Sequence, residues 1–94
     1  MGQPAKSVLR RKLVLRDGAI IQFVVWELPE PLPGSSHRYK YRLFYGRDGQ
    51  NLVRYDNERG KGDHRHYKDQ EECYQFRDLD ALYQDFLADV ERHG

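Results

Sequence analysis

The pattern of hydrophobic and polar positions predicts strands along most of the chain and a helix at its end. Residues 8–16 mix apolar with basic side chains, and residues 19–28 are almost continuously apolar, as in a central strand covered on both faces. Asp17 and Gly18 between them are a tight-hairpin signal. The chain therefore opens with a predicted β-hairpin, after a polar arm at residues 1–7 that we expect to fray.

The register of this hairpin does not follow directly from its turn signal. A two-residue turn would set Leu13 opposite Gln22 and would place Arg11 beside Val24. A basic side chain is unfavourable on a face that packs against the core. We therefore expect a longer or bulged loop.

A second hairpin is predicted for residues 38–45 and 50–56, after a loop that contains three prolines. Asp48 and Gly49 mark its turn. Alternate positions of its first strand place four large side chains on one face, namely Tyr39, Tyr41, Leu43 and Tyr45. This spacing is typical of a strand with one buried face.

A two-residue turn would set Arg42 opposite Tyr55 and Tyr41 opposite Asp56 in this second hairpin. Interleaved aromatic and basic side chains can stack on bases and bind phosphates, so this surface is a candidate RNA platform. Tyrosines at a period of two are also ordinary core residues whose hydroxyl groups reach water. The pattern leaves both interpretations open.

The strongest periodic signal predicts an amphipathic helix over residues 79–90. Its apolar positions recur at intervals of three, four, seven, eight and eleven residues, at Leu79, Leu82, Tyr83, Phe86, Leu87 and Val90. Asp78 suits the N-cap, and Arg92 and His93 suit the negative end of the helix dipole. Immediately before the helix, alternation at residues 73–76 predicts a short strand.

Length and composition limit the class of protein. A chain of 94 residues holds one domain, because domains run from about 50 to 250 residues. The single cysteine, Cys73, excludes an internal disulfide. No apolar run approaches the roughly 20 residues that span a bilayer, so we expect a cytoplasmic protein without membrane contact. We predict one α+β domain over residues 1–94, with an antiparallel sheet of four or five strands packed by one C-terminal α-helix.

The charge is divided unequally along the chain, although the net charge is only +1. Residues 1–68 carry fourteen Lys or Arg against seven Asp or Glu, whereas residues 69–94 carry two against eight. A basic part suggests contact with nucleic acid. Pairing of opposite charges between the predicted sheet and the predicted helix explains the same pattern.

The candidate chemistry lies in residues 52–67, which begin as a strand and turn at Gly60 and Gly62. Glycine accepts positive φ, so the backbone can reverse sharply there. If the exit is an extended strand, His64 and His66 share one face, because side chains two positions apart point the same way. The residue after each histidine then lies on the other face.

This stretch and the segment after it resemble the TumE family of small bacterial toxins. The similarity rests on Arg54-Tyr55-Asp56-Asn57, a Gly/Lys turn, His64-Arg65-His66, Tyr74-Gln75-Phe76 and the closing helix. In that family the toxin is encoded beside an antitoxin that carries a helix-turn-helix domain. The resemblance therefore implies a toxin of a toxin-antitoxin system, with a cognate helix-turn-helix antitoxin as its partner.

The residue types around this turn suit metal-independent cleavage of RNA by an endoribonuclease. Transfer of a phosphoryl group to a ribose 2′-hydroxyl needs a base, an acid and cations for the phosphorane charge. Histidine titrates near neutral pH, so His64 and His66 are the candidate acid/base pair, and Asp56 can orient an imidazole or act as the base itself. The candidate substrate-binding residues combine cations with neighbouring polar and aromatic groups, namely Arg65, Lys61, Arg54, Tyr55, Asn57, Arg42 and Tyr41.

Three other interpretations remain open. His64 and His66, with Asp63 or Asp56, can bind Zn²⁺ or Mn²⁺, but no Cys pair or HExxH helix accompanies them, and we predict no metal and no cofactor. The turn can also be a solvated polar loop without function. Finally, the chain can be a non-catalytic module that uses the same basic surface to bind RNA or another protein.

Overall fold

The structure, a computed structural model, describes residues 4–93. Within these residues, six strands precede one helix: β1 (Lys6–Val14), β2 (Ile20–Glu27), β3 (Tyr39–Arg47), β4 (Gln50–Glu58), β5 (Gly62–Tyr67), β6 (Gln70–Cys73) and α1 (Leu79–His93). The strands form one antiparallel sheet in chain order. The predicted α+β class with a C-terminal helix is confirmed, but the predicted number of four or five strands is too low.

One face of the sheet forms the core together with α1. Side chains alternate between the two faces along each strand, and the core-side positions of β2, β3 and β4 are buried, at Ile21, Phe23, Val25, Tyr41, Leu43, Tyr45, Val53 and Tyr55. The Phe86 ring of α1 meets the Phe23 and Tyr55 rings edge-on, with centroids 5.6 and 5.7 Å apart. Edge-on contact is a favoured geometry for aromatic pairs. We call the opposite surface of the sheet the helix-free face.

The ends of α1 follow from its sequence. Asp78 Oδ1 accepts a hydrogen bond of 2.7 Å from the Ala81 backbone amide, which confirms the predicted N-cap. The helix continues three residues beyond the predicted end, to His93, and its last turn carries Arg92 and His93. Cations at this end interact favourably with the helix dipole.

A buried carboxylate on α1 fixes the helix over β4 and β5. Asp89 is 3 % exposed, and its Oδ2 accepts hydrogen bonds from the hydroxyls of Tyr55 and Tyr67. The Arg65 guanidinium lies 3.8 Å from the same oxygen. Burial, and then donation to Asp89, raise the pKa of Tyr67 to about 12. A buried charge needs such partners, and these partners set the position of the helix.

The strand predicted at residues 73–76 is wrong. The chain pairs earlier, as β6, after a turn in which Lys68 has a φ of 56°. All four residues of β6 are exposed, so its sequence shows no alternation of apolar and polar positions. Phe76 follows the strand and stacks on the His37 ring with a centroid distance of 3.8 Å.

The loop of the first hairpin is longer than the two-residue turn that Asp17 and Gly18 indicate. Leu13 lies opposite Ile21 and Arg11 opposite Phe23, instead of opposite Gln22 and beside Val24. The Leu15 backbone amide donates to the Ala19 carbonyl at 2.8 Å, which closes the loop and confirms the expected extension. Arg11 stays exposed on the core side, because α1 does not extend over the outer strand β1.

A bulge beside Gly46 sets the register of the second hairpin. Arg42 pairs with Asp56, so the predicted pairs of Arg42 with Tyr55 and of Tyr41 with Asp56 are wrong. A shift of one residue moves every side chain of a strand to the other face. Arg42 therefore lies on the helix-free face while both tyrosines lie in the core, and the predicted tyrosine–arginine surface does not form.

The N-terminal arm is shorter than predicted. Residues 1–3, which belong to that arm, lie outside the described residues, and β1 already begins at Lys6. In the described part of the chain, no helix has both the length and the apolar character that a membrane span requires.

Candidate active site on the helix-free face

The helix-free face brings the two predicted histidines into neighbouring positions of β5. In the β4–β5 pairing, His64 lies opposite Asp56 and His66 opposite Arg54. The predicted shared face of the two imidazoles is therefore confirmed. Each imidazole side chain is 16 % exposed, so both rings lie at the sheet surface among neighbouring side chains.

His66 belongs to a cluster with one carboxylate and one guanidinium. Its Nε2 lies 3.2 Å from Arg54 Nη2 and 3.5 Å from Asp56 Oδ1. Arg54 Nε lies 3.1 Å from Asp56 Oδ2, so the carboxylate also holds the guanidinium in place. Because arginine only donates, Nε2 of the neutral His66 ring accepts, and its proton is on Nδ1.

His64 faces an oxygen from each of its ring nitrogens. Its Nε2 donates to the Lys61 carbonyl at 2.8 Å, and its Nδ1 lies 3.4 Å from Glu71 Oε1. Glu71 Oε1 is also 3.8 Å from His66 Nε2, so one carboxylate lies near both imidazoles. The Lys61 carbonyl and Glu71 therefore lie on opposite sides of the His64 ring and limit its orientation.

The helix-free face also carries a cation without a carboxylate partner. Arg42 is exposed and forms no ion pair with any residue between 4 and 93. Its guanidinium lies 5.8 Å from the Phe44 ring centroid. Lys40 on the same face donates to the Asn57 carbonyl. Arg42 is therefore available to a phosphate group.

Three of the predicted substrate-binding residues are not brought to this site. Tyr41, Tyr55 and Asn57 are on the core side and at most 1 % exposed. The Tyr41 hydroxyl donates to Asp63 at 2.6 Å, and the Asn57 side chain accepts from the Tyr41 amide at 2.9 Å. Their burial prevents side-chain contact with a ligand on the helix-free face.

Arg65 and Lys61 are also separated from the imidazole rings. The alternation that brings His64 and His66 together sends Arg65 to the core side, where it pairs with Glu72. The Lys61 side chain is 69 % exposed in the β4–β5 turn, and only its backbone carbonyl contacts His64. A site on the helix-free face therefore has Arg54 and Arg42 as its nearest arginines.

Sequence reasoning missed Glu71 and His37. Glu71 pairs with His66 across β5 and β6, and only a turn predicted at residues 68–69 would have placed it there. His37 lies in a predicted loop, yet its side chain is 8 % exposed and its Nε2 is 2.8 Å from Asp63 Oδ2. Its Nδ1 accepts from the Tyr39 amide at 3.1 Å. Both nitrogens of His37 are thus used within the fold.

The described residues do not offer an evident metal site. Within residues 4–93, no group of three or more His, Cys, Asp or Glu side chains is arranged to hold an ion. Asp63, considered above as a ligand, lies on the core side and binds His37 and Tyr41. Cys73 is exposed at the end of β6.

One known protein family matches the chain almost from end to end. A family model described as Toxin TumE matches residues 3–93. The chain belongs to the TumE family of toxins. No curated protein and no solved structure matches it. The TumE match includes β1 and β2, whereas the sequence resemblance rested on residues 54–90.

Membership in the TumE family implies that the chain is the toxin of a toxin-antitoxin system. Such a toxin is controlled by an antitoxin partner.

Proposed function

We propose that this TumE protein is a toxin that cleaves RNA without a metal ion, with His64 and His66 as its acid/base pair. One observation carries the proposal: two imidazoles lie side by side on a sheet face without a helix, next to a carboxylate and a guanidinium. Histidine is suited to both proton transfers near neutral pH. Asp56 holds Arg54 beside His66, and Asp56 Oδ1, 3.5 Å from His66 Nε2, accepts from that nitrogen once it has taken the substrate proton.

In the proposed reaction, His66 accepts the proton of a ribose 2′-hydroxyl. The 2′-oxygen forms a bond to the adjacent phosphorus, and the bond from phosphorus to the 5′-oxygen breaks. His64 donates a proton from Nδ1 to the leaving 5′-oxygen, while its Nε2 keeps the hydrogen bond to the Lys61 carbonyl. The products are a 2′,3′-cyclic phosphate and a 5′-hydroxyl.

Arg54 makes one contact in the free protein and a different one in this reaction. In the free protein it donates to His66 Nε2, the nitrogen that has to accept the substrate proton. Binding of a phosphate is expected to draw the guanidinium away from the ring and to free this nitrogen. The guanidinium then stabilises the charge that develops on the phosphorane oxygens, a role that its planar fork suits.

Incubation of the purified chain with RNA, with and without a chelator, tests this proposal. We expect cleavage that survives the chelator, depends on pH as a bell-shaped curve, and leaves a 2′,3′-cyclic phosphate. Loss of cleavage on chelation would indicate a metal-dependent reaction and would contradict the proposal. A 3′-hydroxyl product end would contradict the role of the 2′-oxygen.

A second candidate function is a non-catalytic module that binds RNA or protein. The limited exposure of the two imidazoles, 16 % each, favours it, because a ligand on the exposed Arg42 does not need to reach the rings. Tight RNA binding without any cleavage would support this function. The RNA assay described above therefore distinguishes the two functions.

For either function, the proposed location is the cytoplasm and the proposed partner is a cognate antitoxin with a helix-turn-helix domain. The TumE match supports an antitoxin partner, and the type of its domain comes from the family resemblance. Co-expression with the protein encoded beside this chain, followed by co-purification, tests the partner. Failure of the two chains to co-purify would contradict it.

A further inference from the structure

Beside the histidines, the helix-free face contains a pocket of about 350 Å³. Its lining residues come from three adjacent strands and include Val24, Trp26, Lys40, Arg42, Asp56 and Glu58. Val24 and Trp26 form an apolar wall, and charged groups surround it. Of these residues, the proposed reaction uses only Asp56, which positions His66 and Arg54.

We propose that this pocket binds one nucleobase of the RNA next to the cleaved phosphate, with Trp26 as the stacking partner. The proposal rests on the proposed function and adds a base-binding subsite to it. Aromatic side chains on an open sheet face are a common platform for unpaired bases, because every base has a π-face. Trp26 is only partly buried, so part of its ring remains accessible.

The surrounding charges suit a nucleotide better than a purely apolar ligand. Arg42 lines the pocket, is exposed and is not ion-paired to any described residue, so it can bind the phosphate of the same nucleotide. Glu58 lines the same pocket with its side chain 52 % exposed, and its Oε2 forms a solvent-exposed ion pair of 3.6 Å with Lys61 Nζ. A carboxylate accepts hydrogen bonds, which the exocyclic amino groups of bases donate.

The pocket and the proposed catalytic pair share Asp56. This residue lines the pocket, lies opposite His64 in the sheet and lies 3.5 Å from His66 Nε2. Neighbouring strands are about 4.8 Å apart, so a base held between β2 and β4 lies roughly 10 Å from the imidazoles on β5. One nucleotide with its flanking phosphate spans this distance.

Glu58 predicts a preference among bases. Guanine, adenine and cytosine carry an exocyclic amino group, and uracil does not. A carboxylate at the pocket edge accepts from these amino groups, whereas uracil offers only its ring N3–H, so the pocket favours the three amino-bearing bases. We expect oligonucleotides of uridine to bind the pocket most weakly, and we expect Glu58→Gln to reduce this difference.

Trp26 makes the proposal directly measurable, because it is the single tryptophan of the chain. We would titrate the full-length double variant His64→Ala/His66→Ala, which cannot cleave, with tetraribonucleotides of each base and with inorganic polyphosphate. The expected result is saturable quenching of Trp26 fluorescence by the oligonucleotides and none by polyphosphate. Equal quenching by polyphosphate would show a charge effect without stacking and would overturn the proposal.

Variants of Trp26 separate stacking from folding. Trp26→Leu is expected to lower the affinity for a labelled tetraadenylate roughly tenfold or more, whereas Trp26→Phe should keep most of it. Circular dichroism checks that each variant folds. If a folded Trp26→Leu variant binds as tightly as the parent, the pocket is not a base-binding subsite. If Trp26→Leu does not fold, weak binding by Trp26→Phe would equally overturn the proposal.

The same titrations distinguish failure of the subsite from failure of the proposed function. Cleavage of RNA by the unmodified chain with no change in Trp26 fluorescence would overturn the subsite alone. Absence of both binding and cleavage would overturn the proposed function as well. Mononucleotides are expected to bind more weakly than tetranucleotides, and equal affinity would indicate a free nucleotide as the ligand and would overturn the RNA subsite.

Discussion

Arg42 and Arg65 are both arginines on the sheet, but they lie on opposite faces. Arg42 is exposed on the helix-free face, whereas Arg65 pairs with Glu72 and lies near the buried Asp89. We expect Arg42→Ala to weaken RNA binding and to reduce the salt slope of binding by about 0.7, the value for one phosphate on a single strand. Fluorescence anisotropy at several salt concentrations measures this slope.

The matched control is Arg65→Ala. It should leave the salt slope unchanged but lower the free energy of unfolding by roughly 1–3 kcal/mol, because Asp89 loses a charged partner while it stays buried. An equal loss of RNA affinity in both variants would contradict the assignment of RNA to the helix-free face.

Glu71 is the residue-scale feature that the sequence did not predict. It lies 3.4 Å from His64 Nδ1, and its side chain is 53 % exposed, so Glu71→Gln should fold normally. Glu71→Gln removes the carboxylate that faces the imidazole, so we expect slower RNA cleavage, by up to about tenfold, because the ring loses a partner that holds it in position. Cleavage rates of the variant and the parent chain test this prediction.

Glu72→Gln provides the comparison, because Glu72 lies on the core side of the same strand and binds Arg65. We expect it to keep the parent cleavage rate. If Glu72→Gln slowed cleavage as much as Glu71→Gln, general charge would explain the loss and the specific role of Glu71 would be wrong.

At the scale of elements, the packing of α1 on the sheet depends on a charged residue in the buried face of the helix. Asp89 accepts from two tyrosine hydroxyls, so Asp89→Ala removes the acceptor of Tyr67, the nearer of the two acceptors of Tyr55 and one of the two carboxylates beside Arg65. We expect the free energy of unfolding to fall by roughly 2–4 kcal/mol, measured by chemical denaturation. Glu91→Ala, at an exposed position of the same helix, should change it by less than about 0.5 kcal/mol.

The contact between β5 and α1 also predicts a pH dependence. The pKa of Tyr67 is about 12 in the folded chain, compared with 10.0 for an unperturbed tyrosine, because burial and donation to Asp89 disfavour the phenolate. The unfolded chain therefore loses this proton first. The raised pKa of Tyr67 adds its full contribution to the free energy of unfolding below pH 10. This contribution is lost as the pH rises to about 12.

Tyr67→Phe removes this titration. Between pH 10 and 12, its free energy of unfolding should fall less steeply with pH than that of the parent chain, as followed by denaturant titrations. Identical slopes for the two chains would contradict the raised pKa of Tyr67.

Local patterns predicted some elements and failed for others for physical reasons. The period of α1 and its Asp78 cap are local signals, and so is the alternation that places His64 and His66 on one face. The register of β3 and β4 depends on a bulge beside Gly46, which the turn residues did not indicate. β6 has four exposed residues, so the sequence contained no burial pattern to read.

At the scale of the molecule, the division of charge has two consequences. Some acidic side chains of the C-terminal part do pair with the basic part, as in the contact of Arg65 with Glu72. The four cations of β1 form no ion pair with the described residues, at Lys6, Arg10, Arg11 and Lys12. Arg10 and Lys12 lie beside Val24 and Gln22, on the same side of the sheet as Arg42. Together with Arg42, they form a row of cations on the side without the helix.

The most direct test compares RNA cleavage in the presence of a chelator by the parent chain, His64→Ala, His66→Ala and His93→Ala. His93 is the matched control, because it lies at the end of α1 with its ring 4.7 Å from the Tyr67 ring, on the core side. We predict that His64→Ala and His66→Ala each lower the rate roughly 10²–10⁴-fold, and that His93→Ala retains the parent rate. Equal cleavage by all four proteins would contradict the assignment of catalysis to the pair on the helix-free face.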